Sequence, residues 1–405
     1  MVATILFWVS VGLLLYAYVG YPLVLLVFAS ATQMLKDIRY IIKRGERRAN
    51  PDAHDRPAVS MIIPAYNEAD IIREKLENCL ALDYPRDRLE IIVASDGSSD
   101  GTAEIVREYA GRGIVLFDYQ QRSGKAAVLN RTIPRARHDI LIMSDANTMY
   151  EPMSIRHLVK HFADPRVGAV VGEMILQSVS DEHKGEVQYW RYEVVLKFME
   201  NKLGAILGAN GGLYAIRREL YMPLPANALN DDFLIPLRIR EKGYRQAYSP
   251  EARATEGTAK NVKSEALRKV RIAAGNFQSI LFLWRLLNPL RGWIAFTFWS
   301  HKILRWFAPF FMIGAFVFNA LLVPWSRLSS VTANPWDAIH SVLFAVQVAF
   351  YGTAAVGALA AKFPRIRKLC AVQYYFTAMN VAMLKGFLKF VRRTQKTTWK
   401  KIERK

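Results

Sequence analysis

Four short apolar runs, at 59–63, 89–94, 114–117 and 140–143, lead into side chains that can do chemistry. The first is followed by Tyr66, Asn67 and Glu68, and the second by Asp96. The third leads to Gly124-Lys125, and the fourth to Asp145 and Asn147. Farther on stand Asp231-Asp232 and Arg271. Carboxylates brought together repel one another, so a site built from them needs a cation or a donor-rich ligand. Each motif also has an ordinary structural use. Asp96-Gly97-Ser98-Ser99-Asp100-Gly101-Thr102 can be a turn with a helix N-cap, and Asp145-Ala146-Asn147 a cap. Lys125 can be a solvated helix start, and Asp231-Asp232 a solvated pair capping the helix after it. No single motif decides between these uses; their order along one chain does.

The elements that must position these residues follow from periodicity. Segments of helical period, such as 69–82 and 102–109, separate the apolar runs. Short apolar strands alternating with helices predict an α/β domain with a parallel, doubly wound sheet. Ligands bind such sheets at the carboxyl ends of the strands, where the polar residues fall. No Gly-x-Gly-x-x-Gly follows the first run, which disfavours a dinucleotide fold, and the absence of Gly-x4-Gly-Lys-Ser/Thr excludes a P-loop.

The chain has 405 residues, 52% hydrophobic and 22% charged, which excludes wholesale disorder. Two cysteines, Cys79 and Cys370, exclude a disulfide scaffold or a cysteine-based zinc site. The formal charge of +20 suits nucleic acid, an anionic membrane face or a phosphate-bearing substrate. The apolar distribution selects the membrane. Residues 1–35 carry no charge and are long enough to cross a bilayer. Lys36, Arg39, Lys43, Arg44, Arg47 and Arg48 follow, which places that flank in the cytoplasm. Uncharged runs at 306–326 and 338–361 form a hairpin of two spans, returning to basic residues 362–368. Together these place 50–290 in the cytoplasm. Segments 264–291 and 293–305 mix Arg and Lys with Phe, Trp and Leu at helical spacing and predict amphipathic interface helices. The run 369–384, interrupted by Asn380 and closed by Lys385, reads either as a span or as an interfacial or re-entrant segment. Much of the charge thus sits on membrane flanks, and no nucleic-acid partner is expected.

The ordered motifs resemble the inverting family 2 glycosyltransferases, and within them the membrane-integrated synthases of cellulose, hyaluronan and poly-N-acetylglucosamine. The residues carrying the resemblance are Ile63-Pro64-Ala65-Tyr66-Asn67-Glu68, Ser95-Asp96-Gly97-Ser98, Gly124 to Asn130 and Asp145-Ala146-Asn147. Asn210-Gly211-Gly212, Asn230-Asp231-Asp232 and Ser300 to Trp306 continue it. The resemblance implies a GT-A-type doubly wound mixed sheet in the cytoplasm, joined to transmembrane and amphipathic interface helices. The corresponding units are an N-terminal transmembrane helix and basic flank at 1–49, a GT-A domain at 50–262 and interface helices at 263–305. A C-terminal transmembrane region at 306–391 and a basic tail at 392–405 complete them.

By the same resemblance the donor is a nucleotide sugar, most simply a UDP-sugar. Tyr66 packs on its base, Glu68 and Asp96 hydrogen-bond base and ribose, and Lys125 and Arg271 lie at the diphosphate. Asp145 ligates Mg²⁺ or Mn²⁺, and Asp232 is the base that takes the acceptor proton, with Asp231 positioning or shifting it. Three departures stand out. The family's second metal-motif aspartate is Asn147, which costs the site a negative charge and leaves the amide free to contact the sugar or ribose. The glutamate before the base is Asp231. The tryptophan of the processive Gln-x-x-Arg-Trp motif is Ile272, in Arg268-Lys-Val-Arg271-Ile272, which cannot offer a planar sugar platform. Polysaccharide synthesis and single addition to a lipid-linked or glycolipid acceptor therefore both stay open. A non-catalytic nucleotide-sugar binder is disfavoured by Asp145, Asp232 and Arg271, and a transporter by the large α/β domain. The expected location is a bacterial inner membrane, with several spans and membrane lipid as a partner.

Overall fold

A strand covered on both faces is a continuous apolar run, not an alternation. Val59–Ala65 (β1) shows this, since all seven of its residues are buried. Successive side chains of a strand point to opposite faces. Met61 and Ile63 pack with Ile72, Leu76 and Ile91 on one side, and Ile62 with Ile92, Leu129 and Leu141 on the other. The computed structural model describes residues 1–43, 56–177, 184–209, 211–257, 262–325, 335–360 and 363–395. Arg44, Arg47, Arg48, Asn210 and the tail from 396 lie outside the described residues.

The other strands are Leu89–Asp96 (β2), Ile114–Tyr119 (β3), Ile140–Met143 (β4), Thr148–Tyr150 (β5), Val167–Gln177 (β6), Tyr214–Arg217 (β7) and Arg245–Gly257 (β8). They form one sheet in the order β3-β2-β1-β4-β7-β6-β8-β5. The first four are parallel, as the apolar runs predict. The second half departs from a purely parallel sheet: β7 is antiparallel to β4 and β6, and β5 to β8. The reason lies in the connection. After β6 the chain forms helix Lys184–Lys202 and re-enters the sheet directly through Gly211-Gly212. It makes no crossover to the opposite edge, so β7 has to run backwards. The carboxyl edge of the parallel half and helix Lys184–Lys202 are thereby on the same side.

That helix meets helix Tyr21–Lys43: Tyr21 donates to Glu200 at 2.8 Å and Lys202 donates to Gln33 at 2.9 Å. Two helices among the described residues are long and apolar enough to cross a membrane, Val2–Ile42 and Pro335–Leu359. Their outward faces, with Val9, Val19, Leu23, Val342 and Val346 exposed, are apolar, as lipid-facing surfaces are. The run expected at 306–326 is instead helix Ala308–Leu322, bent by 57° from Trp293–Trp306. Pro309 has no N–H and its ring clashes with the preceding turn, so the helix cannot pass straight through. The bent pair counts as a third span only if it is taken as one. Helix Ala371–Val391 lies along helix Val262–Phe282. At Gly386 the contact is so close that a Cβ would stand 2.4 Å from that of Ala273. Leu267 and Leu281 of that helix, and Trp284 just after it, stay exposed.

Candidate active site

Two loops at the sheet edge fix each other. Asn67, in the left-handed region at φ 53°, accepts from the Ser99 N–H at 2.8 Å, and its own N–H donates to Ser98 Oγ at 3.1 Å. The Glu68 N–H donates to Thr102 Oγ1 at 2.9 Å. Asp96 is fully buried. One of its oxygens accepts from Ser123 N–H and Oγ–H at 2.7 and 3.1 Å, the other from Gly124 N–H at 2.8 Å. It orders the loop that delivers Lys125. Tyr66 has one ring face covered by the Arg122 guanidinium, 3.7 Å from the ring centroid.

Helix Lys125–Thr132 aims its first side chain at the acidic residues. Lys125 Nζ lies 2.8 Å from Asp145 and 3.0 Å from Asp231. Burial alone would depress this ammonium, but Asp145, Asp231 and Asp232 outweigh it and hold it well above the ordinary lysine range. Asp145 follows β4, and β7 presses on it from behind. A Cβ on Gly212 would lie 2.2 Å from the Asp145 nitrogen. The Tyr150 hydroxyl, 2.8 Å from the Gly212 carbonyl and 3.1 Å from that of Met143, ties the two strands together.

Asp231 and Asp232 open helix Asp231–Glu241. Asp232 accepts from Gly211 N–H at 2.8 Å and from Phe233 N–H at 3.0 Å. Burial first, and then the charge of Asp231, push its carboxyl up to about 6, against the opposing pull of Lys125. The loop before it is held by helix Val262–Phe282. Asn230 Nδ2 donates to the Ile272 carbonyl at 3.1 Å and to Asn276 at 3.0 Å, and Arg271 donates to the Leu229 carbonyl at 3.2 Å.

Glu68, Lys125, Asp145, Asn147, Asp231, Asp232 and Arg271 all open on one cavity of about 1270 Å³. Of the residues read from sequence, Tyr66 and Asp96 stand outside its wall. Asn147 contributes an amide nitrogen that is buried with no hydrogen-bond partner among the described residues. Ile272 lines the cavity where the resemblance would place a tryptophan, and Trp306 lines it from another helix. The sequence reading missed Glu193, and it took His301, Lys302 and Arg305 only as part of the Ser300 to Trp306 motif with no place at the site; all four line the same cavity. A faint signal existed: Glu193 and Glu200 are seven apart, on one face of their helix.

Residues 60–222 match the model of glycosyl transferase family 2, so the chain carries a domain of that family. It is similar to the poly-beta-1,6-N-acetyl-D-glucosamine synthase of Staphylococcus aureus (strain MSSA476), 26% identical over 254 residues. That match takes in 61% of this chain and 60% of the relative. A second relative, named probable glycosyltransferase YdaM, of Bacillus subtilis (strain 168), is 28% identical over 291 residues, 66% of each chain. The chain thus spans about three fifths to two thirds of the length of these relatives. The mannosyltransferase PcManGT from Pyrobaculum calidifontis, solved with GDP-Man and Mn²⁺, shares the fold, a GT-A-type mixed sheet. Its TM-score is 0.64 at 24% identity, with 95% of this chain and 99% of that one covered.

Proposed function

We propose that this protein moves a sugar from a nucleotide sugar, most simply a UDP-sugar, onto a hydroxyl of a growing glycan, with inversion, at the cytoplasmic face of the bacterial inner membrane. The observation that carries the reading is Asp232, a carboxyl pushed up to about 6 and opening on the cavity that also holds Lys125, Asp145 and Arg271. A base works best with a pKa near the operating pH, and its own acidity sets where it fails. Asp232 takes the acceptor proton. The acceptor oxygen forms its bond to the anomeric carbon while the bond from that carbon to the diphosphate oxygen breaks. The electron pair leaves with the nucleoside diphosphate.

Lys125 and Arg271 supply positive charge for the diphosphate. Asp145 and Asn147 offer one carboxylate and one amide oxygen, and no group of three His, Cys, Asp or Glu suited to a metal exists among the described residues. This donor set fits a hard cation that fills its other positions with substrate phosphates and water. When bound, Mg²⁺ or Mn²⁺ would neutralise charge on the departing diphosphate. The unpartnered Asn147 Nδ2 suits a donor to a sugar or ribose oxygen.

The test is nucleoside-diphosphate release by the purified protein over a panel of nucleotide sugars with Mg²⁺ or Mn²⁺, with products sized by mass spectrometry. One donor is expected to turn over and yield a β-linked product; no turnover with any donor, with or without glycan, overturns the reading. The electrostatics give a second expectation. The transfer rate should fall as pH drops through about 6, where Asp232 gains its proton. Lys125→Met removes a charge that lowers the Asp232 pKa, so the acid limb of kcat/KM should move to higher pH. A limb that stays in place or moves down argues against Asp232 as the base.

A further inference from the structure

Strand β5 is short and lies at the edge of the sheet, with β8 on one side of it. It follows directly on Asp145 and Asn147, so whatever holds it also aims those two side chains. The Thr148 N–H closes the turn between them on the Asp145 carbonyl at 3.2 Å. An edge strand leaves alternate N–H and C=O groups without a ladder partner. Here helix Ala69–Leu80 stands where the next strand would be. Asn78 Nδ2 donates to the Tyr150 carbonyl at 2.9 Å, and Asn78 Oδ1 accepts from the Tyr150 N–H at 2.9 Å. Lys75, three residues before Asn78 and so on the same helix face, donates from Nζ to the Thr148 carbonyl.

Lys75 is an unusual residue to find there. It is fully buried, as are Ile72, Leu76 and Cys79 of the same helix. Its Nζ lies 4.6 Å from the centroid of the Tyr150 ring, and among the described residues no carboxylate pairs with it. Burial pushes its ammonium below the ordinary lysine range. An apolar side chain of similar volume would fill the place without that cost. The chain gives up stability at this point to set one N–H donor on one carbonyl, that of the residue after Asn147. The ring it lies against reaches the other end of the turn. The Tyr150 hydroxyl bonds to the carbonyl of Met143, the last residue of β4, and to that of Gly212. Lys75 thus touches both the entry and the exit of the segment that carries Asp145 and Asn147.

We propose that Lys75 is a positioning residue for sugar transfer: by holding the Thr148 carbonyl and the Tyr150 ring it fixes the turn that presents Asp145 and Asn147 to the cavity. Lys75 does not line the cavity and touches no substrate; it acts through the backbone of the turn. The helix that carries it begins directly after Glu68, which does line the cavity. One rigid element therefore carries Glu68 at its start and braces the Asp145 turn two helical turns later. The inference rests on the reading above and adds a residue to it.

The test uses the full chain in nanodiscs. Mn²⁺ binding in the presence of UDP is read from the paramagnetic resonance signal of the free ion, beside calorimetry of UDP, thermal unfolding and donor kinetics. Lys75→Met keeps the length and the apolar stem and removes the donor. It is expected to weaken Mn²⁺ binding by about tenfold, the worth of one hydrogen bond to a charged group, and to lower kcat/KM for the donor by at least as much. It should unfold no earlier than wild type, because an unpaired buried charge has gone. Ile72→Val is the control, since it loosens the same helix without removing a hydrogen bond. It should unfold earlier and keep its Mn²⁺ affinity within about threefold. Lys75→Gln, with an N–H donor on a stem one atom shorter, should recover part of what Lys75→Met loses. If Lys75→Met does not fold, Lys75→Gln decides: Mn²⁺ binding weaker than in Ile72→Val supports the proposal, and equal binding overturns it. Unchanged Mn²⁺ binding in a folded Lys75→Met overturns it as well. So does tighter binding, which would make Lys75 a charge opposed to the cation. Affinity lost in step with unfolding temperature in both Lys75→Met and Ile72→Val assigns Lys75 to stability alone. Wild-type binding separates the two readings. If wild type binds UDP and Mn²⁺ and Lys75→Met matches it, only this inference falls; if wild type binds neither, the transferase reading falls with it.

Discussion

Asp232→Asn is expected to slow sugar transfer by about 10²–10⁴-fold while donor binding stays nearly unchanged. The substitution keeps size and shape. An amide has one acceptor oxygen, so it keeps either the Gly211 or the Phe233 N–H as partner and loses the other. It cannot take a proton at all. The groups proposed to hold the donor stand on other elements: Glu68 after β1, Lys125 opening its own helix, and Arg271 on helix Val262–Phe282. Their geometry does not pass through the Asp232 side chain, so the effect should fall on kcat and leave the donor KM within about threefold. Single-turnover release of the nucleoside diphosphate, measured with saturating donor and acceptor, reads the step directly. The neighbouring carboxylate supplies the contrast. Asp231 is ion-paired to Lys125 at 3.0 Å, whereas Asp232 is held by backbone N–H groups. A loss below about tenfold in Asp232→Asn, with a larger one in Asp231→Asn, exchanges the two roles.

What sequence could show of this site depended on how far apart its parts lie along the chain. The parallel half was legible because each strand is an apolar run and each functional residue sits at the end of its own run, as Asp145 does after Ile140–Met143. Asp96 was legible as a position but not as a set of bonds. Its oxygens are filled by Ser123 and Gly124, 27 and 28 residues away, and nothing local in Asp96-Gly97-Ser98 announces that. Arg122 over Tyr66 is a contact of the same kind. The antiparallel turn of β7 hung on whether a crossover precedes it, which composition does not record. Glu193 and Arg305 are 112 residues apart, the first in the stretch expected to be the GT-A domain and the second in a segment expected to be an interface helix. Long-range pairs of charges in apolar surroundings have no periodic signature. They become visible when three helices have already been packed together.

The second large effect is expected from a residue with no side chain. In Gly212→Ala the new methyl would stand 2.2 Å from the Asp145 nitrogen and 3.0 Å from its Cβ and Cγ. Backbone cannot swing aside as the tip of a flexible side chain can, so β7 and the Asp145 loop have to separate. The Tyr150 hydroxyl, which bonds across both, resists that separation. Overpacking of this kind costs about 1–3 kcal/mol of stability. The loss of rate should be larger. Gly211 N–H holds Asp232 and Lys125 bridges Asp145 to Asp231, so a shift at Gly212 misplaces the proposed metal ligand and the proposed base together. Misplacement by about 1 Å can cost on the order of 10² in rate. Gly111→Ala is the control, since a Cβ there meets nothing within 4 Å. Thermal unfolding and nucleoside-diphosphate release on both variants separate the two costs. A folded Gly212→Ala protein that transfers sugar as fast as its Gly111→Ala counterpart would mean that the reaction tolerates a displaced Asp145, and the carboxylate would then have no part in holding the donor.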